Sequence, residues 1–259
     1  MTGSRIGDLT SRRSRAQFAE LLKVQAKLAL REPIGILAGV GLPAVLLAVF
    51  GFIGLAQPGD VAGSGQTIID LWVPTILVIS FIGIAGSLPN SVVRDREIGW
   101  LRRVSTTPLH PSRLLAAQLI FDLVLAAAAV VIVIGGGALL FGASLHVQVL
   151  PFVVALLLAI AEIFAFGLVL VALIPSQTVS QVVGGLAFFA LMFLSGLWVN
   201  PAQVGDPLRT IMYYSPSGAA AKALLDAVFI GSPSYAALSV MVVYTVVFGF
   251  VAIRYFRWE

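Results

Sequence analysis

The chain has 259 residues, of which 59% are hydrophobic and only 11% charged, with a net charge of +4. Soluble domains average about 25% charged residues, so this balance excludes an ordinary soluble protein and points to an integral membrane protein. Cysteine is absent, which excludes a disulfide framework and any thiolate chemistry.

Residues 1–33 form a polar, basic segment, and no cleavable signal sequence is expected because the first apolar run begins only at Ile34. Within it Phe18, Leu21, Leu22, Gln25, Leu28 and Ala29 recur at helical spacing, with Lys23, Lys27 and Arg31 along another face. This pattern predicts a basic amphipathic helix lying in the membrane interface or against a partner, ended by Pro33. From residue 34 onward the chain reads as one membrane domain. A spanning helix needs roughly 20 mostly apolar residues, and six stretches qualify, near 34–56, 69–90, 114–141, 150–174, 179–199 and 235–255. In lipid each must satisfy its own backbone, so the predicted class is an all-α membrane protein with six spans.

Between the second and third runs lies a charged island, VVRDREIGWLRRVSTTPLHPSRLL. Ile98, Leu101 and Val104 make an apolar stripe at helical spacing, and the two X-Pro steps at Thr107-Pro108 and His110-Pro111 disfavour continuation. A short helix over 94–107 is predicted, and its stripe, Trp100 and mixed charges suit docking into a groove on another protein. After the fifth run, residues 200–232 are too long for a turn and semi-apolar, which predicts short helices, re-entrant or interfacial, with Ser217 capping one that runs to about Phe229.

Orientation follows from the basic residues. Seven lie in the N-terminal segment, five in the island (Arg94, Arg96, Arg102, Arg103, Arg113) and two at the end (Arg254, Arg257), leaving only Arg209 and Lys222 on the opposite side of a six-span chain. By the positive-inside rule both termini and the island are cytoplasmic. The basic excess therefore reads as an orientation signal beside apolar spans, with no nucleic-acid partner expected.

Two carboxylates fall within predicted spans. Asp122 lies near the start of the third, within reach of the interface; Glu162 is central in the fourth, where an ionisable residue is a functional hypothesis by default. Glu162 either carries its proton, bonds across a helix interface, or faces a cavity that attracts cations. No phosphate-binding loop is present, and His110 and His146 fall on opposite sides, so no metal site is expected. Any ATP hydrolysis must come from another chain.

The island resembles the cytoplasmic signature of ABC-2 type permeases, the membrane subunits of one class of ABC exporters. Matching positions are Arg94, Arg96, Glu97, Gly99, Leu101, Arg103, Thr107, Pro108, Leu109 and Gln118, while Ile98 and Trp100 depart from the acidic or Thr residues common there. The six spans and amphipathic N-terminal helix fit as well, so the resemblance covers essentially the whole chain. It implies that 94–107 is a coupling helix, with Glu97, Arg102 and Arg103 making charged contacts to an ATPase subunit and Ile98 and Leu101 filling its cleft. ATP and Mg would then be held by that partner, with no cofactor in this chain. The resemblance further implies a multi-pass protein of the bacterial inner membrane, paired with a second permease chain and surrounded by lipid. A lipophilic cargo (drugs, antibiotics or lipids) is expected from a pathway of Glu162 with Phe164, Phe166, Phe188, Phe189, Phe193 and Trp198. A glycan exporter is the alternative within the class, and a self-contained secondary carrier the alternative outside it.

Overall fold

The computed structural model describes residues 36–56, 67–97, 111–143 and 148–256. The amphipathic segment expected in 1–33 therefore lies outside the described residues. Among those described the chain is helical throughout its regular structure, and six helices are long and apolar enough to cross a membrane. This is a multi-pass membrane protein.

A π-helical turn at Leu37–Gly41 leads into α1 (Leu42–Ala56), followed by α2 (Ile68–Glu97), α3 (Pro111–Phe141), α4 (Val149–Leu173) and α5 (Gln177–Leu194). Two short helices, α6 (Asp206–Tyr214) and α7 (Pro216–Phe229), precede the last long one, α8 (Tyr235–Tyr255). Helices α1 to α5 and α8 are the six spans. The last begins and ends where its apolar run does, and the fourth is displaced by a single residue.

Helix α2 is the spine of the bundle. It packs against α1, α3, α4, α5 and α7, and Val73, Ile76, Leu77, Val78, Ile79, Phe81 and Ile84 are fully buried. Lipid tails are as apolar as leucine, so what holds it there is close van der Waals packing. Phe50 of α1 stacks on Trp72 of α2 at 4.1 Å between centroids. The hydroxyls of Ser80, Ser87 and Ser91 donate to carbonyls three or four residues back, so they enter the apolar interior without an unmade bond. At its start Asp70 Oδ2 accepts from the Thr67 N–H at 2.7 Å and from its hydroxyl at 2.9 Å, the returning half of a capping box.

At 30 residues α2 is about 45 Å long, well beyond the roughly 30 Å hydrocarbon layer. The second span was expected to close near Asn90. Instead the helix continues through Arg94, Arg96 and Glu97, because helix formation does not need apolar residues and nothing in SVVRDRE breaks it. The fifth span, expected to reach Val199, stops at Leu194: Gly196 adopts φ +88° and its N–H turns back to the Phe193 carbonyl.

Candidate functional site

The end of α2 carries the charges. Arg94, Arg96 and Glu97 occupy its last turns, so the expected coupling helix over 94–107 starts inside the second span rather than as a separate element. Ile98, Gly99, Leu101, Arg102, Arg103, Thr107 and Pro108 lie outside the described residues. Arg96 is half-buried, with Nε and Nη2 shielded from solvent and without a hydrogen-bond partner among the described residues. Glu97 is exposed, and its Oε1 accepts from the backbone N–H of Gln177 at 2.9 Å, which opens α5. Two turns further into the bundle, Ser180 Oγ donates to Asn90 Oδ1 at 2.9 Å, again joining α5 to α2. The sequence gives no hint of the Glu97–Gln177 contact, which spans 80 positions. It offers only Ser176, a standard N-cap residue that accepts from the Val179 N–H.

Deeper in the bundle α2, α4 and α5 enclose a narrow crevice walled by Ile82, Gly86, Phe166, Leu170, Phe188 and Leu191, among other apolar residues. Of the predicted pathway aromatics, Phe166 and Phe188 line it. Phe164 is buried in the core, whereas Phe189, Phe193 and Trp198 are exposed, at 64%, 40% and 61%, on the outward face of α5 and the turn beyond it. The structure thus divides the set among three places.

Glu162 does not line the crevice; its neighbours Ile163 and Phe166 do. It is 0% exposed, and neither carboxylate oxygen has a hydrogen-bond partner among the described residues. Of the three readings of Glu162, an opening onto a cavity is not seen among the described residues. Asp122 is likewise buried, at 1%, rather than reaching for the interface, and accepts from Gln118 Nε2 at 3.1 and 3.2 Å one turn earlier. Gln118, one of the matched motif positions, therefore serves as the partner of a buried acid.

Residues 200–232 fold as a short 3₁₀ turn followed by α6 and α7. The cap of α7 is Ser215, not Ser217: Ser215 Oγ accepts from the Gly218 N–H at 3.1 Å, and Pro216 takes the first helical position. Ser217 instead donates to the Leu191 carbonyl of α5 at 2.7 Å. Helix α7 is wedged against α2, α4 and α8, with Ala219, Ala220, Ala223, Leu224 and Ala227 fully buried. The run of alanines lets it approach closely on several sides. At the α6–α7 corner a Cβ on Gly218 would run into the Met212 carbonyl oxygen, so only glycine fits. Tyr244 Oη donates to the Tyr214 carbonyl at 3.0 Å and ties α6 to the last span. The two basic residues of this segment are both neutralised within it: Arg209 pairs with Asp206, and Lys222 with Asp226 at 3.0 Å beneath the Tyr213 ring.

Comparison with known proteins agrees with this arrangement. The family model described as ABC-2 type transporter matches residues 16–229. A relative from Cyanophora paradoxa named "Putative transport permease ycf38" is 31% identical over 155 residues, covering 57% of this chain and 51% of the relative. The chain thus spans about half the length of that relative. With a family match across most of its length, on a six-span bundle with the charged motif at the end of its central helix, the chain belongs to the ABC-2 type transporter family.

Proposed function

We propose that the chain is the permease subunit of an ATP-driven exporter that moves lipophilic compounds across the bacterial inner membrane. An ATPase subunit, which holds ATP and Mg, docks on 94–107 from the cytoplasm, and a second permease chain completes the pathway. The observation that carries this reading is the continuity of α2. Its Arg94–Glu97 end belongs to the same 30-residue helix that contacts five other α-helices of the bundle, so a force applied at the charged end is delivered to the core. The crevice supports a lipophilic cargo, since its described walls are apolar throughout and would leave a glycan's hydroxyls unpaired. Both termini are cytoplasmic: fourteen of the sixteen basic residues then lie inside, and the two outside are already paired with acids. In this reading α6 and α7 form the re-entrant outer segment.

Leu101→Asp tests the docking. A charge placed in an apolar cleft costs several kcal/mol to desolvate, and each ~1.4 kcal/mol is tenfold in affinity. Co-purification with the ATPase subunit should fall by about a thousandfold or more, with membrane insertion unchanged because the substitution lies outside the spans. Undiminished binding by this variant would remove 94–107 as the docking surface.

A further inference from the structure

Helices α2 and α5 run antiparallel in a continuous register. Moving away from the charged end, Glu97 meets Gln177, Asn90 meets Ser180, Gly86 faces Gly184, and Ile79 packs with Met192. Among the described residues α5 rests principally on α2, and its other main neighbours are the short helices α6 and α7. Its outward face, with Val182, Leu186 and Phe189, is exposed. A helix held this way goes where α2 goes, provided that the fastening at its start holds.

We propose that Glu97 is a positioning residue that fastens the start of α5 to the end of α2, so that the two helices move as one body. The first four N–H groups of a helix have no intrahelical partner. Here Ser176 satisfies Val179, and the Glu97 carboxylate satisfies Gln177 from a different helix. A carboxylate at this point also gains from the positive end of the helix dipole. Asn90–Ser180 is the second fastening, buried on the Ser180 side. At the far end Ser217 of α7 grips the Leu191 carbonyl, so displacement of α5 is passed on to the outer segment. The role in transport rests on the permease reading above; the fastening itself does not.

The chain lacks cysteine, so Asn90→Cys with Ser180→Cys gives a clean cross-linking pair. In native membranes without any ATPase subunit, oxidative cross-linking should be rapid with Glu97 present. Glu97→Ala should slow it about fivefold, the change that corresponds to about 1 kcal/mol at ~1.4 kcal/mol per decade. Glu97→Gln should stay within twofold, since its carbonyl still accepts from Gln177. Equal rates in all three overturn the fastening. In proteoliposomes with the ATPase subunit, a bimane fluorophore on Val182→Cys should shift its emission on trapping with ATP and vanadate. With each variant compared at ATPase concentrations that saturate it, that shift should survive Glu97→Gln and fall at least fivefold in Glu97→Ala. A shift that persists in Glu97→Ala overturns the shared movement. If Ala and Gln instead lose the shift alike at saturating ATPase, Glu97 acts only through the partner's docking and the shared movement is wrong. If the native chain binds no ATPase, the permease reading fails, and the cross-linking result still decides the fastening.

Discussion

Replacing Glu162 by methionine should stabilise the protein. The side chain is fully enclosed within a single chain, and both carboxylate oxygens lack a hydrogen-bond partner among the described residues. A buried polar group without a partner costs about 1–3 kcal/mol. Methionine has nearly the same length and an unbranched shape, and volume-conserving swaps of this kind cost under about 1.5 kcal/mol in packing. Around it Ala159, Ile163 and Phe166 on the same helix supply an apolar setting that suits a thioether. The net expectation is a gain of about 1–2 kcal/mol. For chains of this size each 1 kcal/mol moves the midpoint by roughly 2–4 °C, so thermal unfolding of the detergent-purified protein, followed by tryptophan fluorescence, should shift up by several degrees. Glu162→Gln keeps two polar atoms in the same place and should gain much less. A methionine variant that melts below the native protein would show that Glu162 is bonded in the membrane, and the account of an orphaned carboxylate would be wrong. A stabilised variant that no longer transports would mean that the acid is kept for function at a cost in stability.

Gly218→Ala should disrupt the α6–α7 corner, because its Cβ meets backbone of Met212 rather than a side chain that can turn away; a loss of about 3 kcal/mol and rapid proteolysis between residues 206 and 229 are expected, and a native melting curve would refute it. Ser217→Ala removes the bond to the Leu191 carbonyl and should cost about 0.5–1.5 kcal/mol, seen as a drop of a few degrees with the six spans still inserted. Single cysteines introduced at Thr106 and Ser232 should be labelled from the cytoplasmic and external sides respectively; labelling of Thr106 from outside would overturn the orientation.

The spans were legible in the sequence because length and apolarity are local properties that lipid demands of each helix separately. Hence Tyr235–Tyr255 appears in the fold with the bounds of its apolar run. The ends were less legible. Gly196 terminates α5 short of the expected Val199 through its left-handed backbone, whereas α2 runs past its apolar residues because arginine and glutamate are themselves good helix formers. The motif could likewise be read from neighbouring residues, and with it the family. Which helix takes the centre could not be read, since several spans are comparably apolar and only their mutual packing selects α2. The fates of the polar residues were decided at the same level. Asp122 turns inward to Gln118 instead of outward to the interface, Phe166 and Phe188 share a crevice that Phe189 does not, and Glu97 reaches a backbone N–H 80 positions away. Apart from the Gln118–Asp122 bond, which lies within one turn of α3, each depends on which helices become neighbours, a long-range outcome of close packing that no window along the chain contains.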